Sequence, residues 1–244
     1  MLFNFKKKKL VLDCFTSESH VFNLQPIQKA SNFIPQWWSN LPTYKELNMP
    51  FGGYENMRGC RGFTNLYSKG FILPLWSDAA FEIAPKGELG FNSFFADENT
   101  QVDLHHDEQR GSYLSSLDYQ HLKIISPWLF RCNKDISWMF QQPTWNYEKP
   151  EDIIIPPAIV DFSGNSSTNI NIALPRDDNS KQILIKFGTP MAHIIPLTDS
   201  KVELKNHLIS ASEYMKIGKA ERRVAFGNSY IKRKQAKSKC PMGH

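Results

Sequence analysis

The stretch Ile153–Leu197, IIIPPAIVDFSGNSSTNINIALPRDDNSKQILIKFGTPMAHIIPL, decides the fold. It reads as three or four short strands separated by turn chemistry: Ser-Gly-Asn-Ser, then Asp-Asp-Asn-Ser, then Gly-Thr-Pro. Each apolar run is too short for a helix and is rich in Ile and Val, which favour a pleated surface. Gly188 precedes Thr189-Pro190 where a strand must reverse, so it is expected at positive φ.

The same spacing continues upstream. Leu10–Phe15, Phe71–Trp76, Ala80–Ala84, Leu89–Phe95, Gln101–Leu104, Tyr119–Ile125, Trp128–Phe130 and Ser137–Phe140 all read as strands. Pro74 within Phe71–Trp76 requires an edge or a bulge, because proline has no N–H to give. Two short helices are expected early. One spans Pro26–Asn40 with a break at Pro35, and one follows Glu55 and stops at Gly70. The expected fold class is mainly β, a β-sandwich or a β-clip-like barrel, as a single β-rich domain over 1–210 with a basic helical arm over 211–244. Seventeen Phe, eight Tyr and six Trp supply a large core. Trp37, Trp76 and Trp128 are each expected to plug it.

Charge is unevenly placed. Lys6–Lys9 form one basic end, and residues 216–239 hold nine Lys/Arg against one Glu, so the body between them is acidic. Lys216, Lys219, Arg222, Arg223, Lys232, Arg233 and Lys234 are the candidate contact residues for a protein partner or, nonspecifically, nucleic acid. Behind Lys6–Lys9 the apolar run is only Leu10–Leu12, shorter than a signal peptide's core, and no run is long enough to span a bilayer. The chain therefore reads as cytosolic, or as part of something assembled in a cytosol. Cys14, Cys60, Cys132 and Cys240 are widely spaced and read as free thiols. Cys60 lies between Arg58 and Arg61, which would favour a thiolate, but it also suits a small buried position.

From Val160-Asp161 to Leu197 the chain resembles the β-clip domain of the dUTPase and dCTP-deaminase families, with Asp161 and Gly188–Ile195 in the corresponding places. The family's aromatic three residues after the Asp is replaced by Gly164, and its phosphate-binding elements have no counterpart. The likeness thus implies a fold rather than nucleotide chemistry, and Asp161 reads as a turn residue. Over most of its length the chain is also similar to a family of proteins encoded by tailed phages, chiefly marine ones. The residues carrying this are NFIPQWWSNLP (32–42), MRGCRGFTNLYSKGFILPLWSD (57–78) and FGTPMAHIIPL (187–197). That likeness implies a viral gene product.

One catalytic pattern stands out. His105 and Asp107 form an H-x-D pair, and alternate residues of a strand share a face. With His193 as distal ligand they would make the two-His-one-carboxylate face of a non-haem iron oxygenase that uses a 2-oxo acid. Against it, HHDEQRG also reads as an exposed polar loop, and no Arg follows His193 closely to hold the 2-oxo acid. Cys240 and His244 have metal-ligand spacing without a second pair. Three readings follow in order: a phage-encoded interaction or virion-assembly protein without cofactor, an Fe(II)-dependent oxygenase, and a nucleotide-directed β-clip protein.

Overall fold

The computed structural model describes residues 9–42, 56–98, 100–105, 108, 111, 113–163 and 168–225, with side chains as far as 218. Fourteen strands run through the described residues. They are β1 (Leu10–Thr16), β2 (Gln28–Lys29), β3 (Phe71–Pro74), β4 (Ala79–Ile83), β5 (Phe91–Phe95), β6 (Gln101–Leu104) and β7 (Tyr119–Ile125). They continue as β8 (Leu129–Cys132), β9 (Ser137–Gln141), β10 (Ala158–Asp161), β11 (Ile170–Pro175), β12 (Lys181–Ile185), β13 (Pro190–Pro196) and β14 (Val202–Leu208). The chain is mainly β, and the segment 153–197 holds four of these strands.

The strands form four open sheets, in the orders β14-β1-β8, β10-β9-β13-β3-β2, β11-β7-β6 and β12-β4-β5. None closes on itself, so the architecture is sandwich-like and the barrel alternative does not hold. All four sheets contribute to one core, in which Leu12, Phe81, Leu122, Trp128, Phe130, Trp138 and Ile194 are fully buried. Strand alternation explains how: in β1, Leu10, Leu12, Cys14 and Thr16 face inward while their neighbours face out.

β3 is a central strand, lying between β13 and β2. Pro74 is accommodated by irregularity in its partner, since the register shifts between Pro190 and Ala192 opposite it. Gly188 lies at φ +82°, as the turn requires. Gly70 lies at φ +78°, and a β-carbon there would sit 2.3 Å from the Ile194 carbonyl oxygen. Only glycine lets the chain turn so close to β13.

Three features depart from the sequence reading. The expected helix over Pro26–Asn40 is instead the short strand β2, a 3-10 turn at Ala30–Phe33 and one helical turn at Gln36–Ser39. Pairing of Gln28 and Lys29 with Ile72 and Phe71 outweighs local helix propensity there. A helix at Ser19–Leu24, to which the sequence reading assigned no element, follows β1. β14 lies parallel to β1, Leu10 opposite Val202 through Thr16 opposite Leu208, joining the two ends of the domain. A helix then begins at Ala211 and runs to Ala225. Ser210 and Glu213 start it as a capping box: Ser210 Oγ and N donate to Glu213 Oε2, and Glu213 N donates back to Ser210 Oγ.

Candidate functional site

The most distinctive surface is an aromatic cap on the outer face of the β10-β9-β13-β3-β2 sheet. The helix Arg61–Ser68 lays Phe63 and Tyr67, one turn apart, onto Ile72 and Ala30 in a small second core. Phe63 is the hub. Trp38 stacks on it at 5.0 Å between ring centroids, while Trp37 and Trp145 meet it edge-on, each at 5.8 Å. Trp37 and Trp145 also pack on each other at 6.0 Å. Trp37 is 42% exposed and Trp145 45%. This corrects the expectation that Trp37 is a core plug; Trp76 and Trp128, by contrast, are buried as expected. The physical reason is position: Trp37 sits on a single helical turn outside the sheet, packed against Phe63 and the half-exposed Trp145.

The rings are held in place by hydrogen bonds. Trp37 Nε1 donates to the Trp145 carbonyl at 2.9 Å and Trp38 Nε1 to the Met57 carbonyl at 2.8 Å. Tyr67 donates its hydroxyl to Asn146 Oδ1, and Asn146 Nδ2 donates to the Phe33 carbonyl, both at 2.7 Å. Asn146 thereby ties three segments distant in sequence. Burial pushes the Tyr67 hydroxyl well above its ordinary range, so it remains a donor at any physiological pH. Arg58 donates to the Ser39 and Leu41 carbonyls, anchoring the turn that carries the two tryptophans. Trp145 and Asn146 were not singled out from sequence, and Arg58 was noted only as a neighbour of Cys60. Nothing in the local pattern Pro-Thr-Trp-Asn indicates a partner more than a hundred residues away.

His193 lies beneath this cap. It is buried, its Nε2 donates to the Lys69 carbonyl at 2.8 Å, and its ring packs 6.0 Å from Tyr67. Burial lowers its pKa, against a smaller upward pull from the Lys69 hydrogen bond. His105 lies elsewhere, just beyond β6, half-buried and bonded through Nε2 to Asn171 Oδ1 at 3.0 Å. It lines a cleft of about 260 Å³ together with Lys123, Phe140, Val160 and Phe162.

The pairing register separates the two histidines. His193 is opposite Gln141 in β9, whereas Ile194 is opposite Phe140. Phe140 faces the core and the His105 cleft, so His193, one residue out of phase, faces the other side of the sheet. The structure therefore does not bring His105 and His193 to one point, and they do not fit a shared iron. Asp107 lies outside the described residues.

Of the basic arm, Lys216 is exposed on the helix that starts at Ala211. The side chains of Lys219, Arg222 and Arg223, and all of Lys232, Arg233, Lys234, Cys240 and His244, lie outside what is described. Cys14, Cys60 and Cys132 are free thiols. Cys14 is buried, and burial pushes its pKa well up, next to a smaller contribution from the Asp13 charge. Asp161 accepts a hydrogen bond from the Ser163 backbone at 2.7 Å, a turn contact.

No protein-family model matches the chain, and comparison with curated proteins returns no match. Among the described residues, no helix is long and apolar enough to cross a membrane.

Proposed function

We propose that this chain is a phage-encoded interaction or virion-assembly protein without catalytic activity, acting in the host cytoplasm or the virion. The observation that carries this reading is the aromatic cap. Trp37 and Trp145 keep nearly half their surface in solvent, although the same fold fully buries Trp128 and Trp138. Large aromatic rings held rigidly at a surface are characteristic of contact sites, because they bury much area on binding and lose little side-chain freedom. The basic helix that follows Ser210 supplies a second, electrostatic attachment element toward an anionic partner, protein or nucleic acid.

The electrostatic part is tested by measuring binding of a polyanion at low and high salt. The natural chain is compared with one in which Lys216, Lys219, Arg222 and Arg223 are changed to Glu. Affinity should fall steeply as salt rises, since screening shortens to ~8 Å at physiological ionic strength, and should be largely lost in the variant. Salt-independent binding, or equal binding by both chains, would remove the attachment role.

A further inference from the structure

The aromatic cap carries a charge pattern of its own, independent of the C-terminal arm. Residues 26–42 and 56–70, which build most of the cap, contain Lys29, Arg58, Arg61 and Lys69 and no Asp or Glu. Lys69 is paired with Asp199 at 3.6 Å. Lys29, Arg58 and Arg61 are exposed and form no ion pair among the described residues. Arg58 is bonded only to neutral carbonyls, so its full charge remains beside the turn bearing Trp37 and Trp38.

The indole N–H groups of Trp37 and Trp38 are already spent on backbone carbonyls. What Trp37 offers outward is therefore π-surface rather than a donor, and the exposed Trp145 ring lies beside it. Flat, rigid aromatic faces with the unpaired Arg58 beside their turn, and with Lys29 and Arg61 exposed on the same two segments, suit a ligand that is itself flat, aromatic and anionic along its length. We propose that this surface binds single-stranded nucleic acid, with bases stacking on Trp37 and Trp145 and backbone phosphates meeting Lys29, Arg58 and Arg61. Because every base has a π-face, binding by stacking is tolerant of sequence. A duplex keeps its bases stacked inside and cannot use the rings.

The test is titration of the full chain with short oligothymidylate, short oligouridylate, a duplex of the same length and inorganic polyphosphate. Polyphosphate carries charge without bases and so reports the electrostatic contribution of the arm and the cap cations without stacking. The proposal expects either or both single strands to bind more tightly than polyphosphate and duplex; the two single strands together show whether DNA or RNA is preferred. Trp145→Ala should weaken the single strand about tenfold or more and leave polyphosphate unchanged. Arg61→Glu, an exposed change that leaves the ring cluster intact, should weaken the single strand as well and guards against loss through misfolding. Single strands binding no better than polyphosphate, or both variants binding the single strand like the natural chain, would overturn the proposal. An acidic protein surface would then be the better candidate for the cap.

Discussion

Arg176 should be the most consequential charged residue for stability. It follows β11 directly and is only 8% exposed, yet no carboxylate pairs with it among the described residues. Its guanidinium instead donates to four neutral oxygens: the Ser116 carbonyl at 2.9 Å, the Ala84 and Gly90 carbonyls at 3.0 and 3.1 Å, and Gln120 Oε1 at 2.8 Å. One planar fork thus joins the turn between β4 and β5 to the segment before β7. Burial lowers its pKa, but a guanidinium stays charged at neutral pH. Arg176→Met preserves much of the volume and removes four hydrogen bonds, although the Gly90 carbonyl still accepts from the Ala84 backbone N–H. At about 1 kcal/mol for each acceptor, after partial rehydration, the loss is about 4 kcal/mol. For a chain of this length that lowers the melting temperature by about 10 °C. Arg176→Lys keeps the charge but cannot reproduce the fork, and should lose about half as much. Urea unfolding of the three proteins measures both. Arg176→Met within about 1 kcal/mol of the natural protein, or Arg176→Lys fully as stable, would refute the reasoning.

Further expectations concern the turn, the buried histidine and the core. Gly188→Val should destabilise by more than about 1 kcal/mol, since a β-branched residue is strained at φ +82° and its β-carbon would meet Gln25 Nε2 at 2.9 Å; equal urea midpoints would show the glycine is incidental. His193 has a pKa lowered by burial, so the unfolded chain binds its proton more readily. Its neutral form keeps full stability above the unfolded value of about 6.5, and stability falls as pH drops below that toward the depressed native value. His193→Gln, which can still donate to the Lys69 carbonyl, should flatten that part of the pH profile; an identical profile in the variant would exclude His193 as its source. Trp128→Ala should cost about 3–5 kcal/mol, and Trp37→Ala clearly less, because only Trp128 is fully buried. The same denaturation curves decide it, and equal losses would contradict the exposure difference.

The strands were legible in sequence wherever their register alone dictates which side chains are buried. β6 and β7 have the bounds that alternation and turn residues indicate, and β11 to β13 fall between the Asn, Asp and Gly turns of 153–197. β14 was not legible. Val202, Leu204 and Leu208 alternate with Glu203, Lys205 and His207, but the polar Asn206 on the apolar side interrupts that alternation after two residues. Only pairing with β1, nearly two hundred residues earlier, makes it one.

The sequence by itself determined that the chain is mainly β, that Gly188 turns it, and that a new helical segment starts at Ser210. Those follow from local sterics and periodicity, which act between residues close in the chain. Tertiary structure alone decided that His105 and His193 stand on opposite sides of a sheet, because a shift of one residue in strand register moves a side chain to the other face. It alone decided that Trp37 stays at the surface beside Trp145. That depends on where a single helical turn lands on a sheet assembled from strands far apart in sequence.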